Sequence, residues 1–285
     1  MALTLDPAAT PRNLGACENG QDQDSDRTMN AARPQDGGTI VPSEKGQIDR
    51  VASAAAGETE AMRTESLGTS YLALPDGPAP YPGVVVIHEA SGLNDNIRDI
   101  CRRFAAEGYA ALGVDLFEGR NRAACMARMF IGGMAGNLNY YGVPALKASL
   151  GRVAGHPEVD ANRIGAIGFC LGGSIVLTWA CTDGRLGAIA PFYGAAPRPR
   201  EAIRRLCPVV GSWPGKDFTT KAAGVLEAGL TAAGIPHDLK VYPGAKHSFF
   251  NDQWRNYHAA AAADSWQRVL AFFAEHVRGS PAAAG

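Results

Sequence analysis

A cysteine framed by glycines is the first candidate for chemistry in this chain. The segment Gly168-Phe169-Cys170-Leu171-Gly172 stands between two apolar stretches. The pattern glycine-x-nucleophile-x-glycine is typical of a strained strand-to-helix turn, in which small neighbours let the strand and helix backbones pass closely. The N-terminus of the following helix would favour the thiolate form of Cys170. The pattern predicts a nucleophilic thiol that attacks an ester-like bond, with an inert buried cysteine in a glycine-rich turn as the alternative.

Two later loops contain the partners that such a nucleophile needs. Asp217 follows a strand predicted to end near Gly211, and His247 follows one predicted to end near Tyr242. On a scaffold with this kind of turn, the chain order is nucleophile, acid, base, and the base comes from the loop after the last strand. The order therefore favours a Cys170-Asp217-His247 triad. An N-cap for Asp217 and a surface position for His247 are the alternatives.

An acidic residue follows the most apolar predicted strand. Glu89 comes directly after the run that ends at His88, in a loop that should supply one backbone N–H of an oxyanion hole. The N–H of Leu171, the residue after the nucleophile, should supply the other. A carboxylate beside a thiol raises the pKa of that thiol. Glu89 is therefore either a regulator of Cys170 or an ordinary loop carboxylate.

The elements that must position these residues alternate along the chain. Strands are predicted over 68–74, 84–88, 109–114, 163–168, 186–190, 207–211 and 238–242, and helices over 97–105, 143–154, 171–181, 219–233 and 254–277. The stretch between about 115 and 141 is predicted to be irregular. This alternation indicates an α/β protein with the α/β-hydrolase fold, a mostly parallel central sheet with helices on both faces. Ligands bind beyond the carboxyl ends of the strands in such sheets.

Length and composition indicate which residues form the folded domain, and the charge argues against several classes of partner. The chain has 285 residues, 46% of them hydrophobic, and a net charge of −1. We expect residues 65–285 to form one domain and residues 1–64, without aromatic residues or periodicity, to be a disordered extension. No run reaches the roughly 18 apolar residues of a membrane span, and nothing in the charge suggests nucleic acid or a membrane as a partner. Six scattered cysteines without metal-ligand spacing indicate a reducing, cytoplasmic location and no metal.

Taken together and in order, the motifs resemble those of the dienelactone hydrolase (carboxymethylenebutenolidase) family. They are HEASGLN at 88–94, DLF at 115–117, GFCLGG at 168–173, FYG at 192–194, PGKD at 214–217 and GAKHSFF at 244–250. The resemblance covers roughly residues 68–277. It implies a hydrolase that cleaves an ester or enol-lactone through a cysteine thioester and needs no metal or organic cofactor.

The resemblance also assigns roles to individual residues. It implies that Cys170 is the nucleophile, that His247 is the general base and that Asp217 orients His247. Glu89 matches the glutamate that keeps the resting thiol protonated until an anionic substrate displaces it. The resemblance further implies an oxyanion hole formed by the backbone N–H groups of Ala90 and Leu171.

Substrate binding is where the chain departs from the family pattern. Members that act on dienelactone bind its carboxylate with two arginines. Arg120 or Arg122 could serve as the first, although both are equally compatible with solvated loop charges, and Asn251 stands where the second is expected. Aromatic residues in the strand-end loops could wall an apolar pocket or belong to the core; they are Phe117, Tyr193, Trp213, Phe249 and Phe250.

Three functions are compatible with these residues. The first is hydrolysis of an ester or enol-lactone, and the second is a general carboxylesterase or thioesterase on the same scaffold. The third is a noncatalytic module that uses Cys170 as an oxidisable thiol, against which the retained Asp217 and His247 argue. For the enzyme, we expect a small-molecule ester or lactone as substrate and a monomer or small homo-oligomer.

Overall fold

The computed structural model describes residues 62–279. The predicted disordered extension over 1–64 therefore lies outside the described residues except for its last three, of which Arg63 and Thr64 begin the first strand. Within 62–279, no helix is both long and apolar enough to cross a membrane.

A single mixed sheet organises the described chain. Its strands are β1 (Arg63–Leu67), β2 (Ser70–Leu74), β3 (Tyr81–Ile87), β4 (Ala110–Val114), β5 (Val159–Phe169), β6 (Ile189–Phe192), β7 (Val209–Pro214) and β8 (His237–Tyr242). The helices are α1 (Asp95–Ala106), α2 (Arg122–Met134), α3 (Val143–Ala154), α4 (Leu171–Ala180), α5 (Thr220–Ala233) and α6 (Ala259–Phe273), with a 3₁₀ helix at Arg200–Arg205 and a π-helical turn at Ala274–Arg278. The strand order is β1-β2-β4-β3-β5-β6-β7-β8, and only the pairs β1/β2 and β2/β4 are antiparallel. The predicted α/β-hydrolase fold is confirmed.

The central strand β3 is buried on both faces, as its uninterrupted apolar run predicts. Because successive side chains of a strand point to opposite faces, Val84 and Val86 pack into the core beneath α1 and α6. Val85 and Ile87 pack into the other core, which includes residues of α3, α4 and α5. Two helical layers therefore cover the sheet and exclude water from both faces of its central strands.

A crevice is expected at the end of β3, because the chain changes direction there. From β3 the chain passes to β4 on one side and later to β5 on the other. The loops that leave β3 and β5 therefore diverge, which is the usual position of a ligand site in an open parallel sheet. These two loops contain Glu89-Ala90 and Cys170-Leu171.

The turn from β5 into α4 is packed backbone against backbone. An added Cβ at Gly172 would lie 2.5 Å from the carbonyl oxygen of Ile87 and 2.7 Å from that of His88, and one at Gly168 would overlap the Gly172 carbonyl. Cys170 between them has φ 55° and ψ −110°. Only a residue without a side chain fits at these glycines, so the sequence pattern around the cysteine has a steric cause.

Several predicted strand bounds differ from the observed ones by up to four residues, and three other differences change an element more. Helix α2 lies in the stretch expected to be irregular, and it escaped prediction because only Cys125 and Met129 of its side chains are buried, which leaves almost no apolar periodicity. The predicted strand 68–74 is the second arm of a hairpin, because Gly68 has φ 66° and turns the chain back from the exposed strand β1. The last helix begins at Ala259 rather than at 254.

Replacing glycine by alanine should change the free energy of unfolding in opposite directions at Gly172, in the packed turn, and at Gly224, on an open helix surface. We expect Gly172→Ala to lower the free energy of unfolding by about 2 kcal/mol or more, because the methyl group would collide with backbone atoms of β3 that cannot rotate away. Gly224→Ala in α5, where nothing lies within 4 Å of an added Cβ, should raise it by about 1 kcal/mol because alanine favours helix. Urea denaturation of both variants measures the two changes. Equal stability of Gly172→Ala and wild type would contradict the close packing.

Candidate active site

Cys170 lies at the carboxyl end of β5 and at the N-cap of α4. Its half-buried thiol has a pKa raised to about 11, first by burial and then by the negative charge of Glu89. The backbone N–H groups of Leu171 and Ala90 act in the opposite direction and lower this pKa. Both N–H groups predicted for an oxyanion hole therefore lie beside the sulfur, one from the loop after β3 and one from the start of α4.

His247 and Asp217 are brought together from the loops after β8 and β7. His247 Nδ1 lies 2.9 Å from Asp217 Oδ2, and the Asp217 side chain is only 5% exposed. Asp217 Oδ1 accepts hydrogen bonds from the N–H and the hydroxyl of Thr219, at 2.7 Å and 2.6 Å. With Asp217 accepting the Nδ1 proton, the neutral ring of His247 presents Nε2 as its free acceptor.

Cys170 and His247 belong to one site, because the charge of Asp217, the hydrogen-bond partner of His247, contributes to the raised pKa of Cys170. Among the described residues, no hydrogen bond joins the Cys170 sulfur to His247. Catalytic hydrogen bonds are often formed only when substrate is bound. The raised pKa of Cys170 favours the protonated thiol in the resting site.

Ser248 and Asn251, which follow His247 in the chain, hold the Glu89 carboxylate in position. The Ser248 hydroxyl donates to Glu89 Oε1 at 2.8 Å, and Asn251 Nδ2 donates to Oε2 at 3.3 Å. Ser248 has φ 61°, an unfavourable value for a residue with a side chain, and this backbone places it next to Glu89. The sequence singled out Asn251 only as a departure from the family pattern. In the folded chain it contacts Glu89.

Aromatic rings enclose His247. The Tyr193 ring lies 5.0 Å from the imidazole, and the Phe218 ring stacks on it at 5.3 Å with an interplanar angle of 20°. Burial and the negative charge of the nearby Glu89 raise the pKa of the Tyr193 hydroxyl well above its usual value. Phe218 is 83% exposed. The sequence-based prediction missed Phe218, although its position directly after Asp217 was a usable signal.

Four of the aromatic residues considered for a pocket wall are buried in the core. Phe249 has no exposed surface and packs against Tyr242 and Phe192, so the prediction that it walls the pocket is corrected: its side chain belongs to the core. The same holds for three more aromatic residues, which are at most 6% exposed: Phe117, Trp213 and Phe250.

The two arginines considered for substrate binding are both exposed at the surface. Arg120 forms a 2.9 Å ion pair with Glu118 and donates to the Tyr141 hydroxyl at 3.1 Å. Arg122 lies closer to the site, with Nη1 3.5 Å from the backbone oxygen of Ser91. Neither is held in a buried position facing the thiol.

The electrostatics of the thiol predict how its reactivity responds to Glu89. We expect Glu89→Gln to lower the pKa of Cys170 and to speed its alkylation by iodoacetamide at pH 7.5, by about threefold for each pKa unit removed, because the gain in thiolate is partly offset by its lower nucleophilicity. Glu275→Gln, on a 73% exposed side chain, is the matched control and should leave the rate unchanged. Mass spectrometry of the Cys170 peptide separates its labelling from that of half-buried Cys207. An unchanged rate in Glu89→Gln would contradict the contribution of Glu89.

Comparisons with known proteins agree with the geometry. The model of the dienelactone hydrolase family matches residues 69–277. A "Putative carboxymethylenebutenolidase" of Saccharolobus solfataricus is 33% identical over 242 residues, which cover 71% of this chain and 92% of the relative. Another with the same name, from Yersinia pestis, is 32% identical over 225 residues, covering 73% and 83%.

A solved structure gives the same result. The crystal structure of a "Putative Dienelactone Hydrolase" from Klebsiella pneumoniae superposes with a TM-score of 0.63 at 30% identity, and covers 72% of this chain and 92% of its own. The predicted resemblance is confirmed. This chain is a hydrolase that belongs to the dienelactone hydrolase family.

Proposed function

We propose that this hydrolase cleaves an ester or lactone of a small molecule through a thioester on Cys170. One observation carries the proposal: the ends of neighbouring strands gather the thiol, two backbone N–H groups beside its sulfur and the His247–Asp217 pair. Acyl transfer requires these three components, a nucleophile, an anion-stabilising pair of donors and an oriented base. A thiol sensor needs only the first of them.

The first half-reaction forms the thioester. His247 Nε2 accepts the thiol proton, and the thiolate attacks the carbonyl carbon of the substrate. The N–H groups of Ala90 and Leu171 donate hydrogen bonds to the oxyanion that results. The oxyanion collapses, the bond to the leaving oxygen breaks, and the imidazolium of His247 returns the proton to the alcohol or enol that departs.

The second half-reaction releases the acid. His247 accepts a proton from a water molecule, whose oxygen attacks the thioester carbon. When this second oxyanion collapses, the carbon–sulfur bond breaks and the imidazolium protonates the sulfur. Asp217 stabilises the imidazolium in both halves, because its buried carboxylate accepts the Nδ1 proton at 2.9 Å.

The charges of the site favour an uncharged substrate. Both ionised groups that raise the pKa of the thiol, Glu89 and Asp217, are anionic. Asn251 contributes a neutral amide, which is already engaged by Glu89, where dienelactone-binding members of the family carry an arginine. A substrate carboxylate would meet repulsion without a buried counter-charge. Asn251 therefore favours the general carboxylesterase over an enzyme selective for dienelactone.

Removal of the proposed catalytic groups tests the chemistry. We expect Cys170→Ala to lower kcat/KM for 4-nitrophenyl acetate at least about a thousandfold, and His247→Ala to do the same, because no other group supplies the nucleophile or the base. Asp217→Asn should cost on the order of a thousandfold or more, since the histidine loses its tautomer and orientation. Cys207→Ala, at another half-buried thiol, should retain wild-type turnover. Full turnover by folded Cys170→Ala would refute the proposed function.

Substrate charge is tested by two esters that differ in a single charge. Methyl 4-acetoxybenzoate and 4-acetoxybenzoate have the same scissile acetyl group, and release of the phenol is followed by absorbance. We expect kcat/KM to be about tenfold or more higher for the neutral ester, a difference of roughly 1.4 kcal/mol in transition-state binding. Asn251→Arg should reduce the ratio of kcat/KM for the neutral ester to kcat/KM for the anionic ester. Asn251→Gln should leave that ratio unchanged. A wild-type preference for the anionic ester would contradict the assignment.

A further inference from the structure

His88 is a fully buried histidine at the end of β3 that the proposed chemistry does not use. It has no exposed surface, and its ring packs against Phe117 with centroids 4.8 Å apart. Burial lowers the pKa of its imidazole, so the ring is neutral. It directly precedes Glu89 and Ala90, which the proposed function places at the reacting carbonyl.

The hydrogen bonds of His88 determine which nitrogen carries the proton. Nδ1 lies 2.6 Å from the backbone oxygen of Glu89, and Nε2 lies 3.1 Å from the backbone nitrogen of Leu116. A carbonyl oxygen can only accept and a backbone N–H can only donate. The proton must therefore be on Nδ1, with Nε2 as an acceptor. The ring thereby links the loop after β3 to the loop after β4.

The oxygen that His88 holds belongs to the peptide unit that carries the Ala90 N–H. A peptide unit is planar and trans, so its carbonyl and its N–H point in opposite directions. A donor that anchors the Glu89 oxygen on one side consequently directs the Ala90 N–H to the other, where the Cys170 sulfur lies. The Gly92 N–H also donates to the Glu89 oxygen, at 3.1 Å. The hydrogen bond from Gly92 closes a local turn within the loop. The hydrogen bond from His88 instead attaches the Glu89–Ala90 peptide to a fully buried side chain.

We propose that His88 is a positioning residue: its Nδ1–H holds the Glu89–Ala90 peptide plane so that the Ala90 N–H faces the sulfur of Cys170. The inference rests on the proposed function, because it assigns the Ala90 N–H to the oxyanion of the reaction. A peptide that rotated about its flanking bonds would instead turn the Glu89 carbonyl oxygen toward the site. That oxygen would repel an oxyanion rather than stabilise it.

Two substitutions separate the donor from the acceptor of the ring. His88→Asn keeps an amide N–H near the position of Nδ1 and loses the acceptor for Leu116. His88→Gln places an amide oxygen near the position of Nε2 and loses the donor to Glu89. We expect His88→Gln to lower kcat about a hundredfold with KM within a fewfold of wild type, as for the loss of one oxyanion donor. His88→Asn should stay within about tenfold of wild type.

Stability measurements exclude a merely structural effect. His88→Asn leaves the Leu116 N–H without its partner, whereas in His88→Gln the Glu89 oxygen keeps the hydrogen bond from the Gly92 N–H. We therefore expect His88→Asn to lose at least as much stability as His88→Gln in urea denaturation. A merely structural role would then lower kcat at least as much in His88→Asn as in His88→Gln. Equal losses of kcat, or a larger loss in His88→Asn, would overturn the proposal.

A measurement on the unmodified protein covers the case in which neither variant folds. In a ¹⁵N-histidine-labelled sample of the full chain, the His88 ring should show a protonated Nδ1 and an unprotonated Nε2. The opposite tautomer would overturn the proposal. Failure of the proposed function is recognised separately, because turnover would then survive in Cys170→Ala, whatever the His88 result.

Discussion

The approach of α4 to the end of β3 is the constraint on which the site depends. Gly172 packs its backbone against the carbonyl oxygens of Ile87 and His88, at a distance that excludes any side chain. Because β3 and β5 are adjacent parallel strands, this contact brings their two exit loops to the same point. The sulfur of Cys170 thus receives one N–H from each loop. A larger residue at Gly172 would push the two loops apart and so separate the backbone N–H groups of Ala90 and Leu171.

Opposing electrostatic effects meet at the thiol. Burial and the nearby carboxylates raise its pKa, the two N–H groups lower it, and the balance lies at about 11. Such a thiol is almost fully protonated near neutral pH, so the proposed reaction requires transfer of its proton to His247. The same N–H groups that only moderate the resting pKa would be most effective when a full negative charge develops on a substrate oxygen. The two N–H groups would therefore stabilise the oxyanion of the proposed reaction more than a resting Cys170 thiolate.

The accuracy of the sequence-based prediction followed the strength of the local pattern. The apolar run of β3 and the glycines around Cys170 were sufficient to predict a doubly covered sheet and a tight turn, because both have direct steric or hydrophobic causes. Helix α2 and strand β1 were missed because their exposed faces leave no periodicity; β1 exists through its pairing with β2. Phe249 was misplaced for a related reason, since an aromatic side chain after a strand has the same sequence signature in a pocket wall and in the core.

The sequence by itself determined the family, the fold class and the candidate groups for chemistry. The order of Cys170, Asp217 and His247 within an alternating pattern favoured a shared site at the strand ends, and Asn251 stood where a second substrate-binding arginine was expected. The tertiary structure decided what each neighbouring side chain contacts. Ser248 and Asn251 meet Glu89 across more than 150 positions of chain, and His88 joins two loops through backbone atoms. Backbone groups have the same chemistry at every position, so only the register of the folded strands reveals which of them a side chain will meet.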